Sequence, residues 1–420
     1  MAAAKKKIVD KKAQRAENRA KASAQRDAMA SLPKSQRIEL LLSQHPQHVQ
    51  RASEANTSYL LRRPTGILGL DLDLGGGWPA AATSVIWGKD GVGKDYLLWR
   101  SMAESQQLYK DDFAAVVYLT EFLTDKRYIR DRCGLKIGMS DEEIDELNAL
   151  LTARGRPKLT DEQAWYYQET QGQVITITGA TAEVGFDRII DFVSSNTVQI
   201  AAVNSIGFLH TEMKDATASI ADNPQQRNEA VALTKFMTKL STILNRGGPG
   251  GERIETAVLL LNQARTKDAP SMPGRPATEK DKMKSAADVW AVKHGKAIDL
   301  FLHNGEKIYD GGKDANGKPS GKQVGRRKSY ELIKGKLGTH EGKKGEFDYY
   351  FRTGADVIKD LVDTGVTVGA VARSGAYYTI DDVTVQGYDK FVSHVRELEE
   401  LQHMIRSSVM KKSSILFRYV

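Results

Sequence analysis

A chain of 420 residues with 40% hydrophobic and 27% charged residues has the length and balance of a water-soluble nucleotide-sized core with one or two smaller units. No apolar run approaches the roughly 20 residues that cross a bilayer. The opening Met1-Ala2-Ala3-Ala4-Lys5-Lys6-Lys7 lacks the apolar segment of a signal peptide, and Cys133, the single cysteine, excludes a disulfide framework and a cysteine-based zinc site. A reducing cytoplasm and no membrane partner are therefore expected, and the net charge of +8 favours a polyanionic partner.

In chain order, residues 1–60 read as an N-terminal arm and helix. Lys5, Lys6, Lys7, Lys11, Lys12, Arg15, Arg19, Lys21 and Arg26 make a basic segment with almost no large apolar residue after Val9. Such a segment reads equally as a solvated tail or as a contact for nucleic acid or a neighbouring subunit. Ile38, Leu41 and Leu42 give residues 35–50 the pattern of a short amphipathic helix that needs something to pack against.

The core, residues 61–352, opens with Thr65-Gly66-Ile67-Leu68-Gly69-Leu70-Asp71 and the bend Gly75-Gly76-Gly77-Trp78-Pro79. The apolar run Ser84-Val85-Ile86 then leads through Trp87 into Gly88-Lys89-Asp90-Gly91-Val92-Gly93-Lys94-Asp95-Tyr96 and on to Leu97-Leu98-Trp99. Strand, tight loop and helix carry the spacing G-x-x-x-x-G-K of a phosphate-binding loop. Glycines let successive backbone N–H groups turn toward a polyphosphate, the helix start adds partial positive charge, and Lys94 reaches the terminal phosphates. The motif asks for Ser or Thr as the next residue, a magnesium ligand; here it is Asp95.

Phe113 to Thr120 suits a buried parallel strand that ends at Glu121, followed by Asp125 and Tyr128. A carboxylate at the C-terminal end of such a strand stands beside the ligand crevice of an open α/β sheet and can polarise an attacking water. Residues 137–172 look like an inserted unit, with a capping box of Ser140 and Glu143 and an apolar patch of Trp165, Tyr166 and Tyr167 expected to pack onto the core.

Val174 to Thr178 reads as a strand and Phe186 to Val193 as a helix; Val198 to Val203 is a further strand ending in Asn204. Phosphate-loop ATPases place an Asp that orients magnesium at such a strand end. Residues 212–226 form a polar loop, Asn228 to Asn245 a helix, and Ala257 to Leu261 a strand ending in Asn262-Gln263-Ala264-Arg265. Residues 266–284 are rich in Lys, Arg, Pro, Gly and Ser without periodicity, as functional loops are. Two more strands are expected at Ile298–His303 and Ser329–Lys334, joined through a Gly/Lys-rich hairpin tip at 311–328. Residues 353–420 read as a small C-terminal unit, helical from about Gly354, with a basic end at Lys411, Lys412 and Arg418.

Jointly, these features resemble the RecA family of bacterial and phage strand-exchange recombinases, from about Thr65 to the 390s outside the insert, in a phage-type variant. The resemblance is carried by the segment at Thr65–Asp71, by Glu121, Asp125 and Tyr128 at their spacing, by Asn262-Gln263-Ala264-Arg265, by Lys334-Gly335-Lys336, and by Leu361–Val366 and Gly375–Tyr378. It implies an α/β fold, a RecA-like core with a mostly parallel sheet, an N-terminal helical arm and a small C-terminal α/β domain. It also implies a DNA-dependent ATPase that uses ATP and Mg²⁺ and forms helical filaments on single-stranded DNA, pairs double-stranded DNA, and has possible loading or single-strand-binding partners. Glu121 would activate the hydrolytic water, Gln263 would sense the γ-phosphate, and Lys334 and Lys336 would reach a neighbouring subunit's ATP. Asp125 and Tyr128 would lie near the adenine, with Phe351 where the family places a tyrosine. Residues 212–226 and 266–284 would hold DNA through Arg227, Arg265, Lys267, Arg275, Lys280, Lys282 and Lys284, with Met272 or Met283 against the bases.

Asp95 and Asn204 depart from the family pattern, and the C-terminal end is not acidic. The exchange keeps the carboxylate count of the site, so a relocated magnesium ligand is expected: Asp95 on the ion, Asn204 on one of its waters. The alternatives are a DNA-binding filament protein that hydrolyses ATP weakly or not at all, and a RecA-fold helicase.

Overall fold

The computed structural model describes residue 14 and residues 32–44, 61–121, 125–212, 226–266, 283–287, 289–311 and 320–413. The chain divides into two units, residues 1–57 and 58–420. In the first, helix α1 (Lys34–Gln44) is described and Ile38 stands exposed on it, while residues 45–50 of the expected helix lie outside the described residues. The basic residues of the arm lie outside the described residues.

The second unit begins with an antiparallel pair, β1 (Arg62–Arg63) and β2 (Trp78–Pro79), flanking the short helix α2 (Leu68–Asp73). A ten-stranded sheet follows, made of β3 (Ala82–Gly88), β4 (Ala114–Leu119), β5 (Gln173–Ile177), β6 (Ile200–Asn204), β7 (Ala257–Thr266), β8 (Met283–Ser285), β9 (Lys296–Tyr309), β10 (Gln323–Gly335), β11 (Lys344–Tyr350) and β12 (Gly354–Ala355). Its order is β12-β11-β10-β9-β3-β7-β6-β4-β5, with β8 paired to β7 alone. Strands β9, β3, β7, β6, β4 and β5 are parallel, whereas β10, β11 and β12 continue the sheet antiparallel.

Ala115–Leu119 of β4 and Ala257–Leu261 of β7 read as unbroken apolar runs because both faces are covered. Ala115, Val117 and Leu119 face one cluster with Leu97, Trp99 and Met102 of α3 (Lys94–Tyr109). After β4 the expected insert contains α4 (Asp141–Ala153), started by the Ser140–Glu143 capping box, and α5 (Asp161–Gln168), started by a second box of Thr160 and Gln163. No residue of α5 is buried and Trp165 is 64% exposed, so the aromatic patch does not pack onto the core as expected. Instead Tyr166 takes the Arg130 guanidinium over its ring at 4.3 Å and the Tyr167 hydroxyl donates to Asp131. The second face of the sheet places Val116 and Tyr118 against Phe186 and Ile189 of α6 (Ala182–Ser194) and Phe236 and Leu240 of α7 (Gln226–Arg246).

Beyond β8 lie α8 (Trp290–Gly295) and the long strands β9 and β10. Strand β10 starts six residues before the expected Ser329, because Gly325, Arg326 and Lys328 find partners on both β9 and β11. The C-terminal part is mixed: α9 (Val357–Thr367), an antiparallel sheet of β13 (Ala372–Ser374), β14 (Tyr377–Ile380) and β15 (Val383–Gln386), then α10 (Tyr388–Glu397) and α11 (Glu399–Lys412). Leu361, Phe391, Val395 and Ile405 build its core and enclose Leu68 of α2. Asp360 on α9 fastens this part to α2 by accepting the Leu68 amide at 2.6 Å and the Gly69 amide at 3.3 Å, two donors that a helix start leaves unpaired.

Candidate nucleotide site

Strand β3 delivers Gly88 against Leu302 of β9, where a Cβ would lie 2.2 Å from the Leu302 carbonyl oxygen. Only glycine fits there. At the other end of the loop Gly93 caps α3 with φ at 102°, a left-handed conformation that side chains resist. Lys94 is the first residue of the helix and is buried; its Nζ donates to the carbonyls of Gly88 at 3.1 Å and Lys89 at 3.0 Å. Burial lowers its pKa, against the raising influence of Asp95, Asp90 and Glu121.

A cavity of about 440 Å³ opens over the loop, within the range of small-ligand sites. Asp90, Gly91, Gly93, Lys94, Asp95 and Tyr96 line it from the loop and α3, Glu121, Asn204 and Gln263 from the ends of β4, β6 and β7, and Tyr128, Lys328 and Tyr349 from beyond. These strands are neighbours and parallel, so their C-terminal ends converge on one crevice, where open α/β sheets bind ligands.

Asp95 and Asn204 meet in this cavity. Burial by the surrounding wall raises the Asp95 pKa and nearby Glu121 adds to it, while Lys94 and the Asn204 side chain favour the charged carboxylate. Glu121 Oε1 accepts the Ser205 hydroxyl at 2.6 Å and the Gln263 side-chain amide at 3.1 Å. Thr120 locks the same corner, its hydroxyl donating to the Ser205 carbonyl at 2.9 Å and accepting the Ser205 amide at 2.7 Å. Glu121 is thus aimed from two sides, and Ser205, which the sequence reading passed over, is one of them.

The aromatic side of the cavity differs in part from expectation. Tyr128 lines it, and burial raises its hydroxyl pKa, with Cys133 and Tyr349 adding to the effect. Tyr349 in turn packs edge-on to Tyr96 at 4.9 Å, and the Tyr96 hydroxyl accepts the Ala355 amide at 2.9 Å. Phe351 lies in the turn after β11, 41% exposed and outside the lining; Tyr349 stands in the cavity instead. Asp125 belongs to a neighbouring cavity; its carboxylate takes the Arg127 amide at 2.8 Å and Arg127 Nη2 at 2.9 Å, which outweighs burial and lowers its pKa.

Strand β7 continues past the cavity. Asn262 Oδ1 accepts the Ala287 amide at 3.3 Å and its amide group donates to the Ser285 hydroxyl, tying β8 back to β7. In that antiparallel pair Arg265 stands directly opposite Lys284, both exposed. Met283 is 4% exposed within the core, so it is not free to meet a base. Lys267, Met272, Arg275, Lys280 and Lys282 lie outside the described residues, as do the Arg227 side chain and residues 213–225.

Lys334 and Lys336 sit near the opposite end of β10 from the loop. Lys328 pairs with Asn304 beyond the C-terminal end of β3, whereas Lys334 pairs with Asp299, so the two lysines are six residues, about 20 Å, apart along the strand. Lys334 Nζ donates to the Lys293 carbonyl at 2.7 Å, and burial lowers its pKa, with Lys336 and Lys296 contributing.

Among the described residues no cluster of three or more His, Cys, Asp or Glu side chains could hold a metal alone. Magnesium accompanying a nucleotide needs only one or two protein oxygens, because phosphates and water supply the rest. Asp95 and Asn204, oxygen-bearing and facing one cavity with Lys94, fit that requirement. Among the described residues no helix is long and apolar enough to cross a membrane.

No family model matches the chain. It is similar to proteins named RecA: 24% identical to that of Thermus aquaticus over 352 residues, covering 83% of this chain and 85% of the relative. The RecA of Chlorobaculum tepidum is 25% identical over 347 residues (82% of each), and that of Zymomonas mobilis 24% identical over 347 residues (82% of this chain, 80% of the relative). With a glycine-rich loop feeding a mostly parallel sheet, strand ends converging on one cavity, and relatives matched over four-fifths of its length, the chain resembles the RecA proteins.

Proposed function

We propose that the chain is an ATP-dependent DNA strand-exchange recombinase that assembles head to tail on single-stranded DNA and acts in recombination and repair in the cytoplasm. One observation carries this reading: strand β7 bears Gln263 at the nucleotide cavity and, two residues on, Arg265 opposite Lys284 at the base of residues 267–282. A contact made by nucleotide and a contact made by DNA then share one rigid strand. Like charges placed directly opposite on paired strands repel, and a phosphate backbone between them turns that repulsion into binding.

In this reading Lys94 and the loop amides bind the phosphates, and Asp95 with Asn204 hold Mg²⁺, which supplies charge neutralisation to the transferred phosphoryl group. Glu121, oriented by Ser205 and Gln263, takes the proton of the attacking water. Gln263 shares the Glu121 oxygen, so a γ-phosphate that draws Gln263 away both frees the carboxylate and shifts β7. Lys334 and Lys336, about 20 Å along β10 from the loop end, serve the nucleotide of a neighbouring copy. Such a head-to-tail contact generates rings or open helices. Residues 1–60 form the arm, 61–352 the ATPase core and 353–420 the C-terminal domain, with Arg227, Lys267, Arg275, Lys280 and Lys282 joining Arg265 and Lys284 on DNA.

The acid at position 95 also favours a second reading, a filament protein that binds ATP and DNA but barely hydrolyses. ATP hydrolysis measured with and without single-stranded DNA, alongside negative-stain imaging, separates the two. The recombinase reading expects DNA-stimulated turnover and filaments; filaments without turnover select the second, and rings contradict both.

A further inference from the structure

Strand β10 carries a side chain that the phosphate-loop motif does not ask for. Lys328 stands in the buried phase of the strand with Tyr330 and Leu332 and is only 4% exposed. Its Nζ donates to the Gly91 carbonyl at 2.7 Å and to Asn304 Oδ1 at 2.8 Å, with the Tyr349 ring centroid 5.3 Å away. Both hydrogen-bond partners are neutral. An ammonium has three donors, and burying one without a carboxylate costs stability; burial, with Arg326 contributing, pushes the Lys328 pKa down to about 8.

A cation held at such a cost is placed for an anion that arrives later. The stem of Lys328 passes over the loop, its Cε 3.7 Å from where a Gly93 Cβ would stand, and its head lines the same cavity as Lys94. Each of the two lysines rests on loop carbonyls, Lys94 on those of Gly88 and Lys89, Lys328 on that of Gly91. The loop also carries Asp90 and Asp95, whose charges repel a polyphosphate. A second ammonium offsets one of them.

We propose that Lys328 is a second phosphate-binding lysine, supplied by the same subunit from β10, which leaves the Gly91 carbonyl for the polyphosphate when nucleotide binds. The proposal rests on the reading of residues 88–95 as a nucleotide loop. It makes phosphate binding in this chain a two-lysine affair within one subunit, separate from Lys334 and Lys336 at the far end of the strand.

The test is calorimetric titration of ATP, ADP and AMP into the full chain and into Lys94→Ala, Lys328→Met and Lys328→Arg. Lys328→Met is expected to lose at least tenfold in affinity for ATP and ADP and less than twofold for AMP. Lys328→Arg is expected to retain most of the affinity, and the melting temperature of unliganded Lys328→Met should not fall. Unchanged ATP and ADP affinity in Lys328→Met overturns the proposal, as does an equal loss for all three nucleotides, which marks a structural tie on Gly91. Should the Met variant not fold, Lys328→Gln, which keeps a donor for Asn304, is titrated against the same two outcomes. A wild-type chain that binds no nucleotide, or a Lys94→Ala variant that binds as well as wild type, removes the loop reading itself.

Discussion

Asp95 and Asn204 line one cavity over the glycine-rich loop, and the Asn204 side chain favours the charged form of the Asp95 carboxylate. These are the two positions at which the chain departs from the magnesium-binding pattern of the family it resembles, and they face one cavity. Exchanging acid for hydroxyl at one and amide for acid at the other keeps one carboxylate beside the ion. Asp95→Thr alone should therefore bring ATP turnover no higher than wild type, while Asp95→Thr with Asn204→Asp should retain it. Steady-state turnover across a magnesium titration checks this; a single Asp95→Thr variant faster than wild type would sink the idea.

Much of this was legible in the sequence, for physical reasons. Glycine spacing, apolar runs too long to be half-exposed, and polar residues at their ends located the loop, Glu121, Asn204 and Gln263. Side-chain partnerships across distant strands were harder. Ser205 gains its role only because β4 and β6 are neighbours, which brings its hydroxyl to Glu121. Lys328 was read as the edge of a hairpin tip, although it shares the two-residue phase of Tyr330 and Leu332, and a lysine in a buried phase is a readable signal. Trp165 misled in the other direction: an aromatic cluster promised a core contact, but α5 buries none of its residues.

Arg265 and Lys284 face each other on exposed strands with no acid between them in the pairing register. Replacing either by Ala should lower the slope of log binding constant against log salt for single-stranded DNA by about 0.7 per lost phosphate contact. Fluorescence anisotropy at several salt concentrations measures it. Variants that weaken binding while leaving the slope intact would place these residues away from phosphate.

Asp360 and Asp71 tie the C-terminal part and the core entrance to α2 and Thr65, and burial raises their pKa values to about 7 and about 8 despite the backbone amides they accept. Both folded-state values lie above the ordinary 3.8, so the folded chain holds protons that the unfolded chain releases. The resulting stabilisation is full below about pH 4 and is lost as the pH rises through about 7 to 8. Asp360→Asn keeps an acceptor oxygen but cannot ionise, so its melting temperature should fall less than that of wild type between about pH 6 and pH 9. Thermal denaturation with parallel pH curves for the two proteins would assign the pH dependence to other groups.

The central claim is that each ATP site is completed by Lys334 and Lys336 of a neighbouring copy, and mixing two inactive variants tests it most directly. Glu121→Gln lacks the base but has intact lysines; the double variant Lys334→Ala with Lys336→Ala has the base but lacks the lysines. Each alone should hydrolyse ATP on single-stranded DNA at least 100-fold more slowly than wild type, at the low end of the contribution of a positioned base. Mixed in equal amounts, they should recover roughly a quarter of wild-type turnover, because a head-to-tail assembly forms wild-type junctions at one interface in four. A mixture no faster than the average of its two components would contradict the claim.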